Sequence, residues 1–125
     1  MGDFRKLLVW RKAHELGIRT YRAASGIRRT QDLGLKSQIV RSAMSIPTNI
    51  VEGRHQQSEK EFARFLRIAF NSAIELEYHL MVAREIGALS RSESDVLLRD
   101  LIEVRRMLHG LIQRVSQLPR PKKSA

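Results

Sequence analysis

The chain has 125 residues, with 23 Lys and Arg against 13 Asp and Glu, four His and no Cys, for a formal net charge of +10. Disulfide scaffolds, Cys-ligated metal centres and thiol nucleophiles are excluded by the missing cysteine, and a chain of this length buries roughly two thirds of its unfolded surface, enough for one ordinary core. At 42% hydrophobic and 29% charged the composition is that of a soluble globular domain, and the positive excess favours polyanionic partners without naming one.

Strand signals are nearly absent and helical periodicity dominates. A first helix is predicted over 9–24, with Trp10, Ala13, Leu16, Gly17 and Tyr21 on its apolar side. Arg11, Lys12, Glu15, Arg19 and Arg22 gather on the other side, and Ser25-Gly26 ends the helix. A loop carrying Arg28, Arg29 and Asp32 leads to a second helix over 33–52, with Leu35, Ile39, Ala43, Ile46 and Ile50 inward and Gly53 closing it. Pro47 falls inside this helix, removes the hydrogen bond to the Ala43 carbonyl and is expected to bend or loosen it.

The third helix, 58–86, opens with Ser58 as N-cap and Glu61 three residues on, a capping box in which each side chain satisfies the other's backbone N–H. Its seam runs Phe62, Leu66, Ala69, Ala73, Leu76, Leu80 and Ala83, the alanines allowing close approach. A flanking stripe of Ala63, Phe70, Ile74 and Met81 exceeds what one intramolecular contact requires, and Phe70, Ile74 and Met81 are the expected oligomer interface. The fourth helix, 92–118, is signalled by Ser90 or Ser92 and by Glu93 and Asp95 near its positive end. Leu97, Leu101, Val104, Leu108, Leu111, Val115 and Leu118 form its seam, Pro119 stops it, and a basic tail over 119–125 follows.

Four amphipathic helices with short connections predict an all-α, antiparallel up-down four-helix bundle in a single domain, 1–125. Apolar stretches such as Leu7-Leu8-Val9-Trp10 reach only four residues, against the ~20 that a spanning helix needs. Lys6 stands where a myristoylation signal beginning at Gly2 wants Ser or Thr. A cytoplasmic chain with no membrane partner is expected.

Two runs carry a family resemblance: Gly34-Leu35-Lys36-Ser37-Gln38-Ile39-Val40-Arg41-Ser42-Ala43, and Ser45-Ile46-Pro47-Thr48-Asn49-Ile50-Val51-Glu52-Gly53. Together with Glu61-Phe62, Phe65-Leu66-Arg67-Ile68-Ala69, Ser72, Glu75-Leu76-Glu77, and Leu8-Val9-Trp10 with Ala13, Glu15 and Leu16, they resemble the bacterial four-helix-bundle family encoded in intervening sequences of 23S ribosomal RNA genes. The resemblance spans roughly 7–118 and implies a homopentamer with a role in binding RNA. The family is also similar in fold to the accessory protein of diversity-generating retroelements, a basic pentamer that partners a reverse transcriptase. Val51 stands where a small Ala is usual, and His55-Gln56-Gln57 where a Gly- or Arg-rich turn is more typical.

Arg11, Lys12, Arg19 and Arg22 on the first helix, Arg28 and Arg29 in the loop, and Lys60, Arg64 and Arg67 on the third helix are the candidate nucleic-acid contacts. Arg suits this because its fork holds two phosphate oxygens at once. The plainer reading is a solvated helix face, with Glu15 and Glu61 partly neutralising the two groups, while Arg28, Arg29, Arg120, Lys122 and Lys123 are movable charges. Trp10, Phe62, Phe65 and Phe70 read as core or interface, and Tyr78, in line with Lys60 and Arg64, is the one aromatic placed to meet a base.

No metal, cofactor or catalytic residue is assigned. A di-iron bundle needs two Glu-x-x-His pairs; one such spacing occurs, Glu52 to His55, interrupted by Gly53, and Glu75 with His79 lacks a second pair. No phosphate loop or nucleophile elbow is present, and Glu75 and Glu77 are expected to pair with Arg41 or Arg84. A helix-turn-helix over Gln38–Glu52 fails at Met44-Ser45, where the apolar spacing runs straight through. The expected function is a non-enzymatic, homo-oligomeric binder of RNA or another nucleic acid, the alternative being a module that docks on a protein such as a reverse transcriptase.

Overall fold

The computed structural model describes residues 3–117 and contains α1 (Leu8–Ala24), α2 (Leu33–Arg54), α3 (Glu59–Glu85) and α4 (Arg91–Ser116), with 3-10 turns at Phe4–Lys6 and Thr30–Asp32. Met1-Gly2, the expected stop at Pro119 and the basic tail lie outside the described residues. Each helix packs on the next in chain order and α4 returns to α1, so α1 faces α3, and α2 faces α4, only across the diagonal of the bundle. Along α3 the numbers rise from Arg67 through Glu77 to Arg84 while their α4 partners fall from Ser116 through Arg105 to Asp95.

The core is the set of inward seams. Leu16, Ile39, Ile46, Ile50, Phe62, Leu66, Leu76, Leu80, Leu101 and Leu108 are each under 2% exposed. Each such side chain contributes about 1.5–3 kcal/mol relative to an exposed one, and Ala69, Ala73 and Ala83 of α3 let the neighbouring helices approach. On α1 the inward line is Val9, Ala13, Leu16, Thr20 and Ala24. Tyr21, expected inward, is 54% exposed, because the next residue along a helix turns about 100° away from the line that Thr20 occupies. Thr20 is buried in its place.

Pro47 does not end α2, which continues to Arg54. The residues around it serve nearby carbonyls: Thr48 Oγ1 donates to the Met44 carbonyl at 2.8 Å, and Asn49 Nδ2 to that of Ser45 at 2.8 Å. The Ala43 carbonyl, left without its helical donor by the proline, lies against Gly17 of α1. Ser45 and Ser72 bond through their hydroxyls at 2.7 Å and tie α2 to α3.

Gly53 lies inside α2 rather than closing it. A Cβ there would stand 2.8 Å from Phe65 Cβ and 3.0 Å from Phe62 Cδ1, so the glycine permits the close approach of α2 and α3. Only half of the expected capping box forms: Ser58 Oγ accepts from the Glu61 N–H at 3.1 Å, while the Glu61 carboxylate takes the Arg64 Nε–H at 2.9 Å. At the other end of α3, Gly87 adopts φ +78°. Its N–H donates to the Arg84 carbonyl, and the Ala88 N–H reaches back to that of Ala83 at 2.8 Å, the six-to-one and five-to-two pair that finishes a helix on a left-handed residue. Ser90 then caps α4 by accepting from the Glu93 N–H at 3.1 Å.

Candidate nucleic-acid interface

Helix geometry splits the basic residues of α1 into two lines. Arg11 and Arg22 are exposed and form no ion pair among the described residues. Lys12 and Arg19 turn toward α4 instead, where Lys12 meets Glu103 at 3.4 Å and Arg19 meets Asp100 at 2.8 Å. These cations are already engaged, so a phosphate must compete with a carboxylate for them.

The loop before α2 divides in the same way. Arg28 is exposed without an ion-pair partner among the described residues, but Arg29, expected to be a movable charge, is pinned. Its Nε holds the carboxylate of Asp32 at 2.8 Å, and its guanidinium donates to the Ile86 carbonyl at 3.4 Å. Asp32 is 4% exposed, and a buried carboxylate requires such a partner. Arg29 thus ties the α1–α2 connection to the end of α3.

On α3, residues 60, 64, 67, 71, 74, 78 and 81 recur at helical spacing and all are exposed. Lys60 forms no ion pair among the described residues. Arg64 is held by Glu61 and lies over the Phe65 ring at 4.6 Å, and Arg67 donates to Ser116 Oγ at 2.9 Å. Farther along the same line the surface turns apolar: Ile74 is 45%, Tyr78 65% and Met81 44% exposed. Phe70, expected to belong to this stripe, instead packs partly buried against the core, and Ala63 is buried.

The α1 and α3 groups are therefore not brought together. They sit on diagonal helices and look away from each other. A further pair absent from the expected set, Arg99 and Arg106, is exposed on α4, the helix that packs on both α1 and α3. Arg106 has no ion-pair partner among the described residues, and Arg99 only a long one of 3.7 Å to Asp100. Their seven-residue spacing on the side opposite the leucine seam was the signal available in the sequence.

Residues 5–110 match the family model described as 23S rRNA-intervening sequence protein. The chain belongs to that family. Among solved structures it is similar to a protein of unknown function from the S23 ribosomal protein family of Bacteroides thetaiotaomicron, with 28% identity, a TM-score of 0.80, and coverage of 85% of this chain and 99% of the other. A search of curated proteins returns no match.

In this intervening-sequence protein the run Ser45–Gly53 that carried the resemblance builds the fold: Ile46, Pro47, Ile50 and Gly53 are buried, and Ser45 and Asn49 bond within the bundle. Its basic candidates lie outside that run. Glu77 pairs with Arg105 of α4 at 3.1 Å, not with Arg41 or Arg84, since Arg84 is taken by Asp95 and Arg41 by Gln38. Among the described residues no three His, Asp or Glu side chains gather to share an ion, and no helix is long and apolar enough to cross a membrane. Arg5 bonds the Asp3 carboxylate and holds it below the usual carboxylate range, and the same carboxylate accepts the Arg5 N–H at 2.9 Å to cap the first 3-10 turn.

Proposed function

We propose that this protein is a non-enzymatic, cytoplasmic binder of structured RNA that works as a homopentamer of antiparallel up-down bundles. The observation that carries the reading is the α1/α4 side, where Arg11, Arg22, Arg99 and Arg106 are exposed on adjacent helices of a chain with net charge +10. These guanidinium groups, of which Arg11, Arg22 and Arg106 form no ion pair among the described residues and Arg99 only a long one, suit a backbone of regularly spaced phosphates. The falling order of α4 partners along α3 supports the antiparallel arrangement. Ile74, Tyr78 and Met81 supply an apolar contact between copies, and five chains in one particle turn weak individual contacts into avidity.

Fluorescence anisotropy of the nuclease-treated protein, with a structured RNA and a duplex DNA of similar charge at low and near-physiological salt, tests this. Sub-micromolar binding with a steep salt dependence and a preference for RNA is expected. No binding at low salt overturns it. The apolar stripe of α3 also supports a second reading, in which it docks on a nucleic-acid enzyme such as a reverse transcriptase; a protein that co-purifies stoichiometrically after nuclease treatment favours that alternative.

A further inference from the structure

The aromatic residues of this chain are few, and one group of them stands outside the core. The capped 3-10 turn Phe4–Lys6 has no buried residue, yet it sets the Phe4 ring edge-on against Trp10, with centroids 5.0 Å apart at 68°. Trp10 in turn lies nearly parallel to His14, one turn along α1, with centroids 5.0 Å apart at 14°. His55, the residue that caps α2, approaches Phe4 at 6.1 Å. Phe4 and Trp10 are half-buried while His14 and His55 are exposed, so a stack begins inside the molecule and ends on an imidazole in solvent.

The charges around this corner are mostly positive. Arg11 lies one turn before His14 on the same helix, a spacing that makes the two neighbours on its surface. Arg5 and Lys6 stand on the turn that carries Phe4, and the one acid there, Asp3, is engaged by Arg5. Glu15 is exposed on α1, about 100° around the helix from His14.

We infer that the Trp10–His14 stack is a seat for an unpaired nucleobase of bound RNA, the base continuing the stack over the exposed imidazole while Arg11 and Lys6 hold the flanking phosphates. The inference rests on the nucleic-acid reading above and adds a base-dependent site to a charge-dependent one. Stacking tolerates any base, because every base has a π-face, and it requires one that is not paired. The site therefore selects single-stranded loops or ends rather than a sequence.

Trp10 is the single tryptophan of the chain, so its emission reports on this corner alone. The test titrates the full chain at low salt with a short oligouridylate and with an abasic oligomer carrying the same number of phosphates. Oligouridylate is expected to quench Trp10 and the abasic oligomer to bind without quenching. His14→Ala should weaken oligouridylate binding by about fivefold or more and leave abasic binding unchanged. His14→Phe, which keeps a ring without the imidazole nitrogens, should restore it. Equal quenching by both oligomers, or undiminished oligouridylate binding by His14→Ala, overturns the stacking site while leaving the polyanion reading in place. Failure of both oligomers to bind also overturns the stacking site, while the polyanion reading is decided separately by the structured RNA and duplex DNA titrations.

Discussion

Gly53 and Gly110 are both lone glycines inside helical stretches, and the bundle uses them differently. At Gly53 a methyl group would collide with Phe65 and Phe62. Crowding of this kind costs typically about 1–3 kcal/mol, so Gly53→Ala should lower the urea midpoint. At Gly110 the nearest atom is the far end of the Arg114 side chain at 3.4 Å, which can move aside. Gly110→Ala should therefore raise stability by about 0.5–1 kcal/mol, the ordinary helical preference for alanine. Shifts of the same sign in the two variants would contradict this assignment. Neither role was legible beforehand, because a glycine that permits close approach and one that merely weakens a helix look alike until the partner helix is known. Arg29 shows the same limit: its three-residue spacing from Asp32 was visible, but not that Asp32 is buried or that Ile86 offers a carbonyl.

At the scale of the element, α3 changes character along one exposed line, from Lys60, Arg64 and Arg67 to Ile74, Tyr78 and Met81. A helix that merely closed a bundle would keep a polar outer face throughout. If the apolar half joins copies, Ile74→Glu with Met81→Glu should give monomers by sedimentation with helical content unchanged, since both side chains are exposed. Assembly as in the unaltered chain would move the contact to another helix. The inward seams of α2, α3 and α4 were readable because buried positions recur with the helical period. Tyr21 misled because an aromatic ring on the edge of a small-residue line reads as its continuation, and Phe4 escaped notice because a single aromatic ahead of a helix belongs to no period.

The whole molecule sets the basic candidates on two sides, and this limits what one copy can touch. Arg11 and Arg22 are exposed on α1 and Arg106 on the adjacent α4, while Lys60 is exposed on α3, which is diagonal to α1 and packs on α4. Replacing Arg11, Arg22 and Arg106 with Ala should reduce the salt slope for duplex DNA by about 0.9 for each phosphate that the variant no longer neutralises, and Lys60→Ala should change it little. The reverse result would place the binding surface on α3. Charge composition favoured polyanionic partners but could not choose a side, because which cations remain unpaired is settled only when the helices meet. Every packed pair of α-helices joins neighbours in sequence except the last, where α4 closes onto α1. A chain emerging from synthesis N-terminus first thus displays Lys12 and Arg19 before Glu103 and Asp100 exist to neutralise them. These two cations of α1 gain their carboxylate partners only once α4 has been made.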